Sequence, residues 1–399
     1  GRSRPAARPN PVRRRAIAAA EQWVRDHQEA DGGWGGIQPP WVWSILMFAA
    51  LGYGFEDDTL RRAVDGWSVF TIDDGDRLRP EACQSPVWDT GLALLALRDA
   101  GVPPDHPQLR RAGEWLLGEE ITVKGDWAVR RPDLPPGGWA FEFENVNYPD
   151  LDDCAVIPMA LRYLGMGEDA CRRSLDWLVG MQSSNGGWGA FDVDNSSYWL
   201  YKLPFCDFGY VIDPPSEDVT AHALEALAGD PTYAGAIERG LEYLIREQQW
   251  DGSWWGRWGV NHIYGTGAAL PALEACGFEP QHPVIRKAVH WLDSVQHASG
   301  GFGEDIRSYH ETAMRGRGVP TASQTAWALL GYAAAGDAQR ESARRAADYL
   351  CAEQEANGDW SEEHYTGTGF PTDFMIRYHL YRLYFPLMAL GRLRERLNA

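Results

Sequence analysis

Two kinds of apolar segment alternate along this chain. In the first, apolar residues recur at helical spacing with polar residues between them, as in "GLEYLIREQQWDGSW", where Leu241, Leu244 and Ile245 lead up to Gln248. That spacing predicts an amphipathic helix with one buried stripe. In the second kind nearly every position is apolar or small: "VWDTGLALLALRDAG", "DCAVIPMALRYLG", "EDVTAHALEALAGD", "YGTGAALPALEACG", "TASQTAWALLGYAAAG" and "DFMIRYHLYRLYFPLMALGRL". A helix apolar on all sides is a buried helix. Amphipathic helices alternating with wholly apolar ones predict an all-α fold, a closed double ring or α/α barrel (toroid) with the apolar set inside. Residues 81–399 supply six inner helices but only five outer ones. Residues 1–80, with a helix at 11–28 and the apolar stretch "WVWSILMFAALG", are expected to form part of a second α-barrel.

The amphipathic helices end in a repeated pattern. Gln28, Gln182, Gln248, Gln296 and Gln354 each have an aromatic five positions before them (Trp23, Trp177, Tyr243, Trp291, Tyr349). Each has a glycine four positions after (Gly32, Gly186, Gly252, Gly300, Gly358) and an aromatic six positions after (Trp34, Trp188, Trp254, Phe302, Trp360). A sixth copy has Glu120 in the glutamine position and leads to Trp127. The glycine is expected to end the helix with positive φ, and the glutamine amide to bond the carbonyls freed there. Such a unit is a structural clamp rather than a catalytic one.

Composition narrows the chemistry. With 56 acidic and 37 basic residues the net charge is −19, which disfavours a nucleic-acid partner. Six arginines in the first fifteen positions read as a solvated linker. The cysteines (Cys83, Cys154, Cys171, Cys206, Cys276, Cys351) are scattered, with no CxxC pair, as in a protein of reduced thiols. No apolar run reaches the ~18 residues needed to span a bilayer, and no signal peptide is visible. The chain starts at Gly1 rather than Met, so a longer natural chain is expected.

The candidate chemistry lies in "YPDLDDCA", where Asp150, Asp152 and Asp153 crowd together at the mouth of an apolar helix. Helix capping explains one of these aspartates and not three. Neighbouring carboxylates raise the cost of ionising one another, so one is expected to keep its proton at neutral pH, as a general acid must. Asp218 and His222, four apart in "EDVTAH", share one face of the next inner helix. A zinc site built from Asp152, Cys154 and His222 is the competing reading, and it leaves Asp150 unexplained.

At these motifs the sequence resembles the squalene–hopene cyclases, the bacterial class II triterpene cyclases. The clamp resembles that family's QW repeat. "YPDLDDCA" resembles its DxDD acid motif, with Cys154 where threonine is usual. "GGWGGIQPPW", "QSSNGGWGAFDVDN", "PFCDFGYVIDPPSEDVTAH", "GSWWGRWGVNHIYGTG" and "HYTGTGFPTDF" extend the resemblance from about residue 8 to 395, against the larger C-terminal part of the family's chain. The family has two α/α barrels, which would supply the missing outer helix in cis or from a separate piece.

The resemblance implies that Asp152 protonates a terminal alkene of squalene or a similar polyprene, starting a carbocation cascade to a polycyclic triterpene, hopene or hopanol. It pairs Asp152 with His222, makes Asp150 and Asp153 the flanking carboxylates, gives Asp218 the role of orienting the ring, and puts Tyr264 in the reprotonation network. The cavity aromatics it implies are Trp88, Phe141, Phe191, Trp258, Phe370, Phe374, Tyr378 and Tyr381, with Ile37 close by. Phe205 and Cys206 fall at its substrate channel. It further implies no metal and no cofactor, and a monotopic protein on the cytoplasmic side of the cell membrane. A homodimer is compatible with it.

Two other readings remain open from sequence. One is a class II cyclase of a shorter prenyl substrate such as a diphosphate, for which Lys202 and Arg257 are the available cations. The other is a non-catalytic terpenoid-binding or scaffold protein, which has no reason to keep a buried proton donor.

Overall fold

The computed structural model describes residues 10–204, 210–371 and 373–398. They form two compact units: residues 1–86 with Phe141–Asn147, and residues 87–140 with 148–399. The sequence boundary at 80/81 thus falls at 86/87, and a short internal strap, Phe141–Asn147, belongs to the first unit.

The first unit starts with α1 (Pro11–Asp26), capped by the Asn10 side chain, which accepts from Val12 N at 2.9 Å. Pro11 suits the first turn because its missing N–H would have had no partner there. Arg13, Arg14 and Arg15 therefore lie on an exposed helix rather than in a linker. Next come α2 (Gln38–Leu51), stopped by Gly52 at φ 92°, and α3 (Asp58–Gly66), capped by Asp57. A small antiparallel hairpin, β1 (Thr71–Asp73) and β2 (Leu78–Pro80), follows. Trp34, Trp41, Phe48, Leu60 and Phe70 form the core. The Trp41 indole donates to Ala63 O at 2.9 Å, which ties α2 to α3.

In the second unit the alternation becomes architecture. Its helices are α4 (Pro86–Asp99), α5 (Pro107–Gly118), α6 (Leu151–Leu164), α7 (Glu168–Gly180), α8 (Glu217–Leu227), α9 (Ala234–Glu247), α10 (His262–Ala275), α11 (Pro283–Val295), α12 (Ala322–Ala334) and α13 (Glu341–Glu353). A hairpin of β3 (Gly367–Phe370) and β4 (Phe374–Ile376) precedes α14 (Tyr381–Asn398). The even-numbered helices are the apolar ones. α6, α8, α10, α12 and α14 pack in succession, and every residue of α12 is buried. Three polar bonds join α14 to α4 and close the ring: Trp88 Nε1 to Tyr381 OH at 3.1 Å, Tyr384 OH to Asp89 at 3.0 Å, and Arg392 to Asp99 at 2.7 Å. Among the described residues the unit has six inner helices and five outer ones, as the sequence pattern predicts. The last apolar segment differs from its reading as one helix, because Phe374 pairs with Phe370 in the hairpin and the helix starts at Tyr381.

The clamps work differently from the sequence expectation. The outer helices end at or just before the glutamine, and the glycine four residues on lies in the following turn. The Gln182 amide donates to Gly186 O at 2.8 Å and to Ala236 O at 2.9 Å, in the first turn of the next outer helix. Gln248 does the same with Gly252 and Val284, and Gln296 with Gly300 and Ser342. Gly186 has φ 94°, and a Cβ there would sit 2.4 Å from Arg239 O, so only glycine permits the approach. The tryptophan reaches back: Trp34, Trp188, Trp254 and Trp360 donate to Val24, Leu178, Leu244 and Leu350 carbonyls at 2.7–2.8 Å. In the sixth copy the indole that makes this bond is Trp139, donating to Leu116 O at 2.6 Å, and not Trp127. Trp139 comes 19 positions after Glu120 rather than 6, and an insertion of that length hides the repeat from a fixed-spacing search.

Candidate active site

The acid cluster sits at the N-terminus of α6. Asp150 is the N-cap, its side chain accepting from Asp152 N at 2.7 Å. Asp152 and Asp153 occupy the first turn, where the helix dipole favours negative charge. All three are buried. Burial, with the Asp152 charge next, pushes Asp150 well above the usual carboxylate range. Burial and the charges of Asp150 and Asp152 do the same to Asp153. Neither Asp153 oxygen has a hydrogen-bond partner, and a carboxyl buried in that way stays protonated.

Asp152 is the member with a counter-charge. Its Oδ1 lies 2.9 Å from His222 Nδ1. Burial works against a charged imidazole, yet the Asp152 bond and the Asp218 charge outweigh it and push His222 up to about 9. At neutral pH Nδ1 therefore donates to Oδ1, and among the described residues no hydrogen bond to Oδ2 is seen. Asp218 does not orient His222 by a hydrogen bond. Its Oδ2 accepts from Arg257 N and Trp258 N, each at 2.8 Å, and its Oδ1 from Ser216 at 2.6 Å. Asp218 thus anchors the loop at 257–258 and acts on His222 through charge alone.

Cys154 faces away from this pair. Its Sγ accepts from Trp139 N at 3.2 Å and donates to Trp139 O at 3.6 Å, and burial pushes the thiol strongly up. A zinc ligand must be a thiolate. The Asp152–Cys154–His222 donor set does not converge, and no other group of three His, Cys, Asp or Glu among the described residues is arranged to hold a metal ion.

Aromatic rings surround the acid. Trp88 and Tyr264 each lie with their centroids 6.2 Å from His222. Tyr264 packs edge-on against Trp327 at 4.7 Å, and its hydroxyl bonds neither His222 nor Asp152. Gly259 makes room for the Tyr264 ring, since a Cβ there would lie 2.4 Å from Cγ. Tyr381 joins the group through Trp88 and Trp327 and stacks on Tyr378 at 4.5 Å. A second set lies along β3–β4 and the 257–258 loop: Phe370 and Phe374 at 6.2 Å, Phe191 and Trp258 at 5.9 Å. The Arg257 guanidinium sits 4.1 Å from the Trp258 ring centroid, so a protein cation already occupies one face of that indole.

Phe141 and Ile37 lie in the first unit, and Phe205 and Cys206 lie outside the described residues. Sequence reasoning missed Trp327, Tyr384 and Phe385. Their signal was a large aromatic inside an otherwise small-residue inner helix, and Trp327 stands out that way in "TASQTAWALLG".

Comparison with known proteins places this geometry. A solved structure, the ent-copalyl diphosphate synthase from Streptomyces platensis, shares the fold over 97% of this chain and 69% of its own, with TM-score 0.61 and 16% identity. The helical ring is that of the class II terpene cyclases. Residues 84–395 match the squalene-hopene cyclase C-terminal domain and residues 3–76 the squalene-hopene cyclase N-terminal domain. The chain belongs to the squalene–hopene cyclase family. It is 50% identical to the squalene–hopene cyclase of Alicyclobacillus acidocaldarius and 44% identical to a probable squalene–hopene cyclase of Sinorhizobium fredii, over 97% of this chain in both cases. It spans 62% of the length of each of these relatives.

Proposed function

We propose that this chain carries the catalytic ring of an enzyme that cyclises squalene, or a similar linear polyprene, to a polycyclic triterpene such as hopene or hopanol. The observation that carries the proposal is the Asp152–His222 bond of 2.9 Å, in a cluster whose other carboxyls are pushed toward neutrality. In the reactive form Asp152 Oδ2 has taken up a proton from solvent. That proton passes to the terminal alkene, leaving a tertiary cation on the substrate and, on Asp152, the carboxylate that pairs with His222. The imidazolium on Oδ1 and the α6 N-terminus stabilise that carboxylate. Neutral Asp150 and Asp153 add no competing anion to trap the cation. Ring faces then carry the positive charge, each worth about 0.5–2 kcal/mol when dry, and exclude water that would quench it. Loss of a proton from the last cation gives an alkene, and capture of water gives an alcohol. No metal or cofactor is needed in this scheme.

Arg257 is buried against Trp258 and Tyr210, which does not suit it to greet a diphosphate at an entrance, so the polyprene reading is favoured over the shorter charged substrate. An intact acid pair likewise speaks against a scaffold role. We place the protein on the cytoplasmic side of a cell membrane, held monotopically. Support comes from the exposed Tyr198 and Trp199 (59% and 63%), on the short helical turn Tyr198–Lys202 just before the expected channel residues. Among the described residues no helix is long and apolar enough to cross a membrane. Residues 1–80 are proposed to work as part of a second ring, completed in cis or by a separate piece, because Trp43 and Leu46 of α2 turn outward. The test is incubation of Asp152→Asn and the parent chain with squalene in detergent, followed by mass spectrometry. Loss of all cyclised product with an intact fold is expected, and near-normal turnover would sink the assignment.

A further inference from the structure

The first unit holds two carboxyl groups that this reaction does not use. Glu29 follows Gln28 of the first clamp, and Glu142 lies at the head of the Phe141–Asn147 strap. They are 8% and 4% exposed. In each, one oxygen is met by a main-chain amide: Gly35 N donates to Glu29 Oε1 at 2.6 Å and Glu144 N to Glu142 Oε2 at 3.1 Å. The other oxygens, Glu29 Oε2 and Glu142 Oε1, are buried without a hydrogen-bond partner. Both side chains converge on consecutive glycines. Gly35 holds Glu29, while a Cβ on Gly36 would lie 2.3 Å from Glu142 Cγ.

Two carboxylates buried together with free lone pairs are costly, and no cation is among the main influences on either. The charged groups facing them are the carboxyls of Asp31 and Glu144. The Arg62 guanidinium on α3 donates to the main-chain carbonyls of Glu29 and Ala30 rather than to the carboxyls. A single retained proton removes the conflict, since the protonated carboxyl donates to the ionised one and satisfies both free oxygens.

We propose that Glu29 and Glu142 share one proton as a carboxyl–carboxylate pair, and that this bond fastens the strap and positions Phe141. Burial, then the charge of Glu142, pushes Glu29 up to about 8. Burial, with Asp31 and Glu144 adding to it, pushes Glu142 up to about 7. Folded-state values above the unfolded ones mean that the pair keeps at least one proton, and the fastening holds, below this range and is lost as pH rises through it. The proton leaves to solvent, both carboxylates repel, and the strap loosens. The functional consequence rests on the cyclase reading above and on the family resemblance, which implies Phe141 and Ile37 as substrate contacts. Glu29 and Glu142 are positioning residues in it.

The test measures hydrogen-exchange protection of the Gly35 and Glu144 amides in the full chain, corrected for intrinsic exchange, together with the infrared band of protonated carboxyl. Glu142→Gln keeps a donor on Glu29 at every pH. The wild type is expected to lose protection as pH rises through about 7 to about 8, and Glu142→Gln to keep it. The variant should also lack one protonated-carboxyl band at about pH 6, between the unfolded value of 4.5 and the folded values of about 7 to about 8. Flat protection in the wild type, or the same loss in Glu142→Gln, overturns the pair. Product composition is read across the same range. A mixture that shifts in the wild type and not in the variant supports the positioning of Phe141, and one constant in both overturns it. Pair behaviour as expected in a chain that never turns over squalene would sink the cyclase reading and leave the shared proton standing.

Discussion

Replacing Asp152 with asparagine should change His222 more than it changes the fold. His222 is held at about 9 against an ordinary 6.5, and at 1.36 kcal/mol per unit that is roughly 3 kcal/mol favouring the imidazolium. Burial alone acts in the other direction, and Asp152 contributes the largest opposing effect. In Asp152→Asn the imidazole should therefore lose most of that rise and be largely neutral at pH 7. The sign for stability follows. A group whose folded value is raised stabilises fully below the unfolded value, and the contribution disappears as pH climbs from about 6.5 to about 9. The wild type should lose stability across that window and the variant should not. The asparagine also removes the Asp152 charge that raises Asp150 and Asp153, so the slope is a sharper readout than the absolute stability. The assay is an NMR titration of the His222 ring nitrogens beside urea melts at several pH values. A His222 midpoint that stays near 9 in the variant would refute the argument that Asp152 holds the charge.

Other substitutions probe the remaining parts. Phe370→Ala should let substrate be consumed but release partly cyclised products. A lost cation–π contact of about 1–2 kcal/mol makes early proton loss roughly tenfold more competitive, and mass spectrometry of the product mixture checks it. Trp188→Phe removes the indole bond to Leu178 O and should cost about 1 kcal/mol in a denaturant melt, with the product mixture unchanged. Gly186→Ala, forced to φ 94° against Arg239 O, should cost more than the roughly 1 kcal/mol of an ordinary glycine replacement and lower the melting temperature. A chelator should leave turnover unaltered, because Cys154 holds its proton and bonds Trp139.

Periodicity made the ring legible, because buried and half-buried helices leave different patterns in sequence. The acid was legible because three aspartates at one helix mouth conflict with simple capping. The finer geometry was not. Asp218 shares a helical face with His222, but its oxygens answer to backbone amides from a loop about 40 residues away, and sequence spacing carries no record of that. Trp139 was hidden by an insertion, while the β3–β4 hairpin was taken for helix since Phe374 and Tyr378 fit an apolar run. Arg257 read as a cation available to a diphosphate, and only packing reveals it lying on Trp258.

The bonds that shut the ring join residues almost 300 positions apart, Trp88 to Tyr381 and Asp89 to Tyr384. Contacts so distant along the chain carry the largest loop-closure cost and form late. Until α14 docks, the inner wall beside His222 lacks Tyr381 and the acid stands open to water. On the proposed function, a ribosome-bound or C-terminally nicked chain would hold Asp152 without the dry chamber that proton donation needs, and the acid would become effective only when the two ends of the ring meet.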